Sequence, residues 1–122
     1  MPSQRSRTGI QGEDLAALYL QRNGYELVAR NYRTRYGEID LVASYKGTMV
    51  FVEVRTRRTT AFGTAQESVT ARKRQRLVAV AQQYLQEHGL EAVPWRLDLI
   101  AISRSPESTN IDHLQALSGE GL

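Results

Sequence analysis

The chain contains no cysteine. This excludes disulfides, thiolate-bound zinc and cysteine nucleophiles, and it accords with a reducing, cytoplasmic setting. Histidine occurs only at His88 and His113, too far apart in sequence to suggest a histidine metal centre or a Ser-His-Asp triad. No apolar run approaches the ~20 residues of a membrane span. The start, Met1-Pro2-Ser3-Gln4-Arg5, lacks the apolar stretch of a secretion signal. Phosphate-loop, dinucleotide and G-x-S-x-G fingerprints are missing too. With no repeat, low-complexity tract or long linker, the 122 residues read as one domain, 1–122. Within it, 1–8 form a loose arm, 56–69 a mobile loop and 103–122 a polar tail.

Acidic charge is scarce in the first part of the chain. Residues 1–76 hold 14 Lys and Arg against 7 Asp and Glu, a net of +7. Residues 77–122 hold 2 against 6, a net of −4. The basic part is densest at Arg55, Arg57, Arg58, Arg72, Lys73, Arg74 and Arg76. Such a segment suits a polyanion, and nucleic acid is the natural one. The alternative is a solvated basic face. Arg72, Lys73, Arg74 and Arg76 also open a helix, where cations oppose the dipole, which favours an anionic partner. Tyr32, Tyr36 and Phe62 lie near these cations and are candidates to stack on bases.

Periodicity predicts a helix over 9–23, ended by Gly24, and a strand over 25–32. A hairpin follows, with strands 37–43 and 49–55 around Lys46-Gly47. Thr70 is a candidate N-cap for a helix over 71–88, ended by Gly89. Residues 95–102 read as a strand, and a final short strand falls near 111–117. The order α-β-β-β-α-β, with that extra strand, predicts an α/β sandwich around a mixed sheet.

If Lys46-Gly47 is the turn, opposed residue numbers sum to 93. Asp40 then faces Glu53, and Glu38 faces Arg55. Opposed side chains lie roughly 4.5–5.5 Å apart at Cβ, and like charges there destabilise the pair. A divalent cation between them reverses that sign. Alternation places Ile39, Leu41, Ala43, Val50, Val52 and Val54 on one face, and Glu38, Asp40, Val42, Phe51, Glu53 and Arg55 on the other. Asp40 and Glu53 are thus candidate ligands for Mg²⁺ or Mn²⁺, with Arg55 as a charge-stabilising cation. A cross-strand ion network, Arg55 bridging Glu38 and Glu53, explains the same residues without metal. Glu13 falls in what reads as a first helical turn, where the dipole favours an acid. Asp98 interrupts an apolar strand and calls for a nearby Arg.

Asp40 followed by Glu53-Val54-Arg55 resembles the D…E-x-K signature of the restriction-endonuclease-like superfamily. A longer string is similar to the uncharacterised bacterial YraN-like family. It runs from Gly12-Glu13 and Arg30-Asn31-Tyr32-Arg33 through Gly37-Glu38-Ile39-Asp40-Leu41-Val42 and Val50-Phe51-Val52-Glu53-Val54-Arg55-Thr56-Arg57. Phe62-Gly63, Glu67-Ser68-Val69, Lys73 and Arg96-Leu97-Asp98 extend it. The resemblance implies a restriction-endonuclease-like fold, a central mixed β-sheet flanked by helices, as in archaeal Holliday-junction resolvases. It also implies a metal-dependent endonuclease acting on nucleic acid, with DNA favoured over RNA and structured or branched DNA included. Glu13 would join the metal ligands, and Gln66 or Glu67 could approach them. Arg57, Arg58, Arg72, Lys73 and Arg74 would bind the phosphate backbone.

Arg55 departs from the superfamily's usual lysine. Arginine stays charged and cannot accept a proton, though it can orient a phosphate. Two other readings therefore stand beside the nuclease: a non-catalytic nucleic-acid-binding domain with a degenerate site, and a homodimeric protein-interaction domain.

Overall fold

The computed structural model describes residues 7–58 and 70–117. Seven elements follow one another: α1 (Arg7–Arg22), β1 (Glu26–Thr34), β2 (Gly37–Tyr45), β3 (Thr48–Arg58), α2 (Ala71–Glu87), β4 (Trp95–Arg104) and β5 (Thr109–Leu114). The strands form one sheet in the order β1-β2-β3-β4-β5. Only β3 and β4 run parallel. The predicted extra strand is thus present as β5, at 109–114 rather than 111–117, and β4 runs two residues past the predicted 95–102 into the expected tail.

One helix covers each face of the sheet. Ala16, Ala17 and Leu20 of α1 pack with Leu41, Ala43, Val50, Val52, Ile100 and Ile102. Leu77, Val80, Ala81, Tyr84 and Leu85 of α2 pack on the other face with Ile39, Val42, Phe51, Leu97 and Leu99. Sheet residues therefore face a helix on both sides, which explains why the central strands are nearly continuous apolar runs. Thr70 caps α2, accepting from the Lys73 backbone N–H at 3.1 Å.

The predicted turn and register hold. Tyr45 pairs with Thr48, and Lys46 (φ 50) and Gly47 (φ 82) are both left-handed, as a two-residue primed turn requires. The β2–β3 ladder ends at Leu41↔Val52, although both strands continue. Beyond it, β2 pairs only with β1, out to Thr34↔Gly37, while β3 pairs with β4 out to Arg58↔Arg104. The sheet splits into two limbs, and a cleft opens between Asp40 and Glu53.

Strict alternation fails at this split. Ile39 lies on the α2 face with Val42, not with Leu41 as expected. Across on β1, Arg30↔Leu41 and Tyr32↔Ile39 are paired, and the residue between them, Asn31, has φ 53. A left-handed residue breaks the pleat locally, so the face sequence slips by one.

Gly12 lets α1 approach this split. A Cβ there would run into Thr56 Oγ1 and lie 3.3 Å from Thr56 Cβ. Gly12→Ala should destabilise the fold by about 1–2 kcal/mol, overpacking outweighing the gain in helix propensity. Denaturant midpoints should show Gly12→Ala/Thr56→Ala regaining most of the loss; equal stability of Gly12→Ala and wild type would contradict the contact.

Candidate active site at the split of the sheet

Asp40 stands one residue beyond the last β2–β3 pair. Its Oδ2 accepts the Val54 backbone N–H at 2.8 Å. A side chain thus takes over where the ladder stops. Register carried one step further sets Asp40 across from Glu53, which is 6% exposed. Glu13, 4% exposed, enters from α1, and Glu38 from the start of β2.

These neighbours act on Asp40. Burial is the largest effect, followed by repulsion from Glu53, and more weakly from Glu13 and Glu38. The Val54 N–H opposes them. The Asp40 carboxyl is pushed up to about 8. It is therefore predominantly protonated at neutral pH, and a nearby cation would reverse the balance.

Cations approach several of these acids. Glu53 Oε2 lies 3.3 Å from Arg55 Nε and 3.4 Å from Lys73 Nζ, the latter from the first turn of α2. The Arg55 contact is close but badly aligned, since that buried Nε–H has no hydrogen-bond acceptor. Glu13 Oε1 lies 3.6 Å from Arg30 Nη2, which binds Asp14 at 2.8 Å. Arg33 Nε holds Glu38 Oε1 at 3.2 Å. Asn31 Nδ2 donates to both Glu13 Oε1 (3.1 Å) and Glu38 Oε2 (3.0 Å). One amide ties α1 to β2 beneath the cleft.

Of the residues marked in the sequence, Asp40, Glu53, Glu13, Glu38, Arg55 and Lys73 converge here. Arg72 and Arg74 sit beside Lys73 at the start of α2. Arg57 and Arg58 extend β3, but their side chains, like Gln66, Glu67 and Phe62, lie outside the described residues. Three expectations change. Glu38 and Arg55 fall beyond the end of the ladder; Glu38 binds Arg33 and Asn31, while Arg55 contacts Glu53. Glu13 is not in a first turn, because α1 begins at Arg7; its position is explained by the cleft rather than the dipole. Tyr32 is engaged with Glu87 and packed edge-on against Tyr84 rather than presented for stacking.

Sequence reasoning gave Asn31 no role. An Asn in a strand-like run is the available signal, since Asn tolerates left-handed backbone better than other non-glycine residues. His113, far from His88 in sequence, meets other partners: its Nε2 lies 2.7 Å from Asp98 Oδ2 and its Nδ1 3.0 Å from the Tyr19 hydroxyl. Asp98, fully buried, also accepts from Arg96 Nε (3.1 Å) and the Ala116 N–H (3.0 Å). Arg96 supplies the expected Arg, and β5 supplies a partner visible only in the fold.

Among the described residues, no three His, Cys, Asp or Glu side chains form a finished metal-binding group. The donors at the cleft are carboxylate oxygens, which suit a hard cation that keeps several waters and needs one or two carboxylates. Asp40 and Glu53 are the two carboxylates that the register sets opposite one another where the ladder ends.

The fold and cleft define an α/β domain with a split mixed sheet and a buried acidic cluster. Residues 12–102 match the family described as uncharacterised protein family UPF0102, and the chain belongs to it. A UPF0102 protein of Herpetosiphon aurantiacus is 47% identical over 124 residues, covering 98% of this chain and 100% of the relative. One from Chloroflexus aurantiacus is 48% identical, covering 98% and 99%. One from Roseiflexus castenholzii is 47% identical, covering 93% and 94%. This is the YraN-like family that the motifs resemble.

Asp40 has a consequence for stability. Its ordinary value is near 3.8 and its folded value about 8. Between these, unfolding releases a proton, so stability falls as pH rises and levels off above the folded value. Without divalent cations, Asp40→Asn should have a flatter profile and exceed wild type near pH 9 by up to a few kcal/mol. Urea midpoints at about pH 5 and pH 9 provide the check. Parallel profiles would mean that Asp40 is not the group being strained.

Proposed function

We propose that this protein is a divalent-metal-dependent nuclease that hydrolyses phosphodiester bonds in DNA, structured or branched DNA included. The supporting observation is the Asp40 carboxyl: anchored by Val54, facing Glu53, and pushed up to about 8 by burial first and by repulsion from Glu53 next. Asp40 and Glu53 would hold Mg²⁺ or Mn²⁺, with Glu13 behind them and the Asn31 amide fixing Glu13. Such an ion supplies an activated water and neutralises charge on the phosphoryl oxygens. Lys73 is long and partly exposed, so it can move from Glu53 to a substrate phosphate. Arg55 stays on the strand to stabilise charge as it develops. The basic start of α2, with Arg72 and Arg74, borders the backbone's approach. No helix among the described residues is long and apolar enough to cross a membrane. A cytoplasmic location beside DNA belongs to this reading.

Glu53 Oε2 already faces two cations, and this favours one alternative: a non-catalytic nucleic-acid-binding domain in which Arg55 and Lys73 neutralise Glu53 permanently.

Calorimetric titration with Mn²⁺ and Mg²⁺ separates the two. Wild type should bind, and Asp40→Asn/Glu53→Gln should not. Each single variant should lower Mn²⁺-dependent cleavage of linear, flapped or four-way DNA by at least about 100-fold, matching several kcal/mol of lost charge stabilisation. Arg55→Lys should retain cleavage where Arg55→Ala loses it. DNA binding by wild type with neither metal uptake nor cleavage would establish the non-catalytic alternative.

A further inference from the structure

A small crevice, about 50 Å³, is lined by Lys73, Arg76, Glu38 and Tyr36 over a floor of Leu77 and Val80. Lys73 connects it to Glu53. The carboxylate in it, Glu38, is held by Arg33 and Asn31. The crevice is therefore lined by two cations suited to a phosphate.

Tyr36 also borders the next depression, a polar groove of about 590 Å³ between the β1–β2 turn and the outer face of α2. Arg35, Gln82, Gln83, Gln86 and Glu87 line it. This stretch differs from the crevice: one cation is matched by one anion, and three side-chain amides lie between. Amides offer donors and acceptors together and suit base edges better than phosphates. Tyr36 stands where the two meet, 41% exposed. Its presentation is built into the turn. The Tyr36 N–H donates to Thr34 Oγ1 at 2.9 Å, and Arg35 Nη2 donates to the Tyr36 hydroxyl at 3.0 Å.

We propose that this groove binds an unpaired DNA strand adjoining the scissile phosphate, with its backbone at Lys73 and Arg76, a base stacked on Tyr36, and following bases against Gln82, Gln83 and Gln86. The inference rests on the nuclease reading and adds the substrate class: DNA with a single-stranded tail or branch. Arg35 lies over the Tyr36 ring, 5.1 Å from its centre, so a base would stack on the other face, and Gln83 Nε2 donates to Glu87 Oε2 at 2.9 Å, leaving its carbonyl oxygen for a base edge. In a blunt duplex the base edges are already paired and meet neither group. An aromatic platform accepts any base, since each has a π-face, so the tail is recognised without sequence preference.

Fluorescence anisotropy of the full chain in chelator, where metal-dependent cleavage cannot occur, tests this. The probes are a labelled blunt duplex and the same duplex carrying a single-stranded tail at its 3′ or its 5′ end. Wild type should bind one tailed form about tenfold more tightly than the blunt form, the worth of one stacked base. Tyr36→Ala and Gln83→Glu should each remove that preference and leave blunt-duplex affinity unchanged. Tyr36→Phe should keep it, which a lost hydroxyl contact would not allow. Lys73→Ala/Arg76→Ala should weaken both probes. Equal affinity for blunt and tailed probes, or a tail preference that survives Tyr36→Ala, overturns the groove while leaving the nuclease reading to stand on its metal titration. Binding to neither probe overturns the groove as well, and metal uptake then shows whether the cleft survives as a metal site.

Discussion

A single hydrogen bond marks where the sheet divides: the Asp40 carboxylate accepts the backbone N–H of Val54 at 2.8 Å. Two strands that separate leave backbone donors and acceptors without ladder partners, and each such group costs free energy if buried. Asp40 supplies the missing acceptor for β3 at the first step of the divergence. The same bond anchors a largely buried ionisable side chain close to Glu53. The structural solution to the split creates the chemical problem of the site. The carboxyl that satisfies the backbone is the one burial and its neighbours drive up to about 8.

The remaining cleft residues are organised around that point. Asn31 makes the left-handed step that breaks the pleat, and its amide bridges Glu13 and Glu38. Gly12 permits the close approach of α1 that delivers Glu13 one residue later. Thr70 holds the Lys73 backbone N–H, fixing the root of the side chain that reaches Glu53. Elements from every part of the described chain except β4 and β5 thus contribute to one cleft. The Asp98–His113–Tyr19 chain does a separate job, joining β4, β5 and α1 through buried polar contacts that are fully partnered at Asp98.

Much of this was legible in the residues. The Lys46-Gly47 turn set the hairpin register, because both positions must adopt positive φ and few residue pairs do so readily. That register by itself brings Asp40 and Glu53 together. The apolar stripe of α2, with Thr70 before it, was equally plain. What failed did so for specific reasons. Counting alternation through Ile39 assumed an unbroken pleat, and Asn31 on a different strand breaks it. Opposing Glu38 to Arg55 assumed a ladder that runs to the strand ends, whereas it stops at Leu41↔Val52. Reading Glu13 as a dipole residue assumed a later helix start than Arg7.

Local physics therefore determined from sequence alone the order of the elements, the hairpin register, a mixed sheet flanked by helices, and the facing of two carboxylates. These follow from period, turn chemistry and capping, which act over a few residues. Only the tertiary structure decided where the sheet splits, that Lys73 rather than Arg55 alone reaches Glu53, that Asn31 joins two acids, and that His113 meets Asp98. Each of these depends on contacts between elements distant in the chain. Their geometry is set by packing of whole helices and strands, and no local pattern in the residues encodes it.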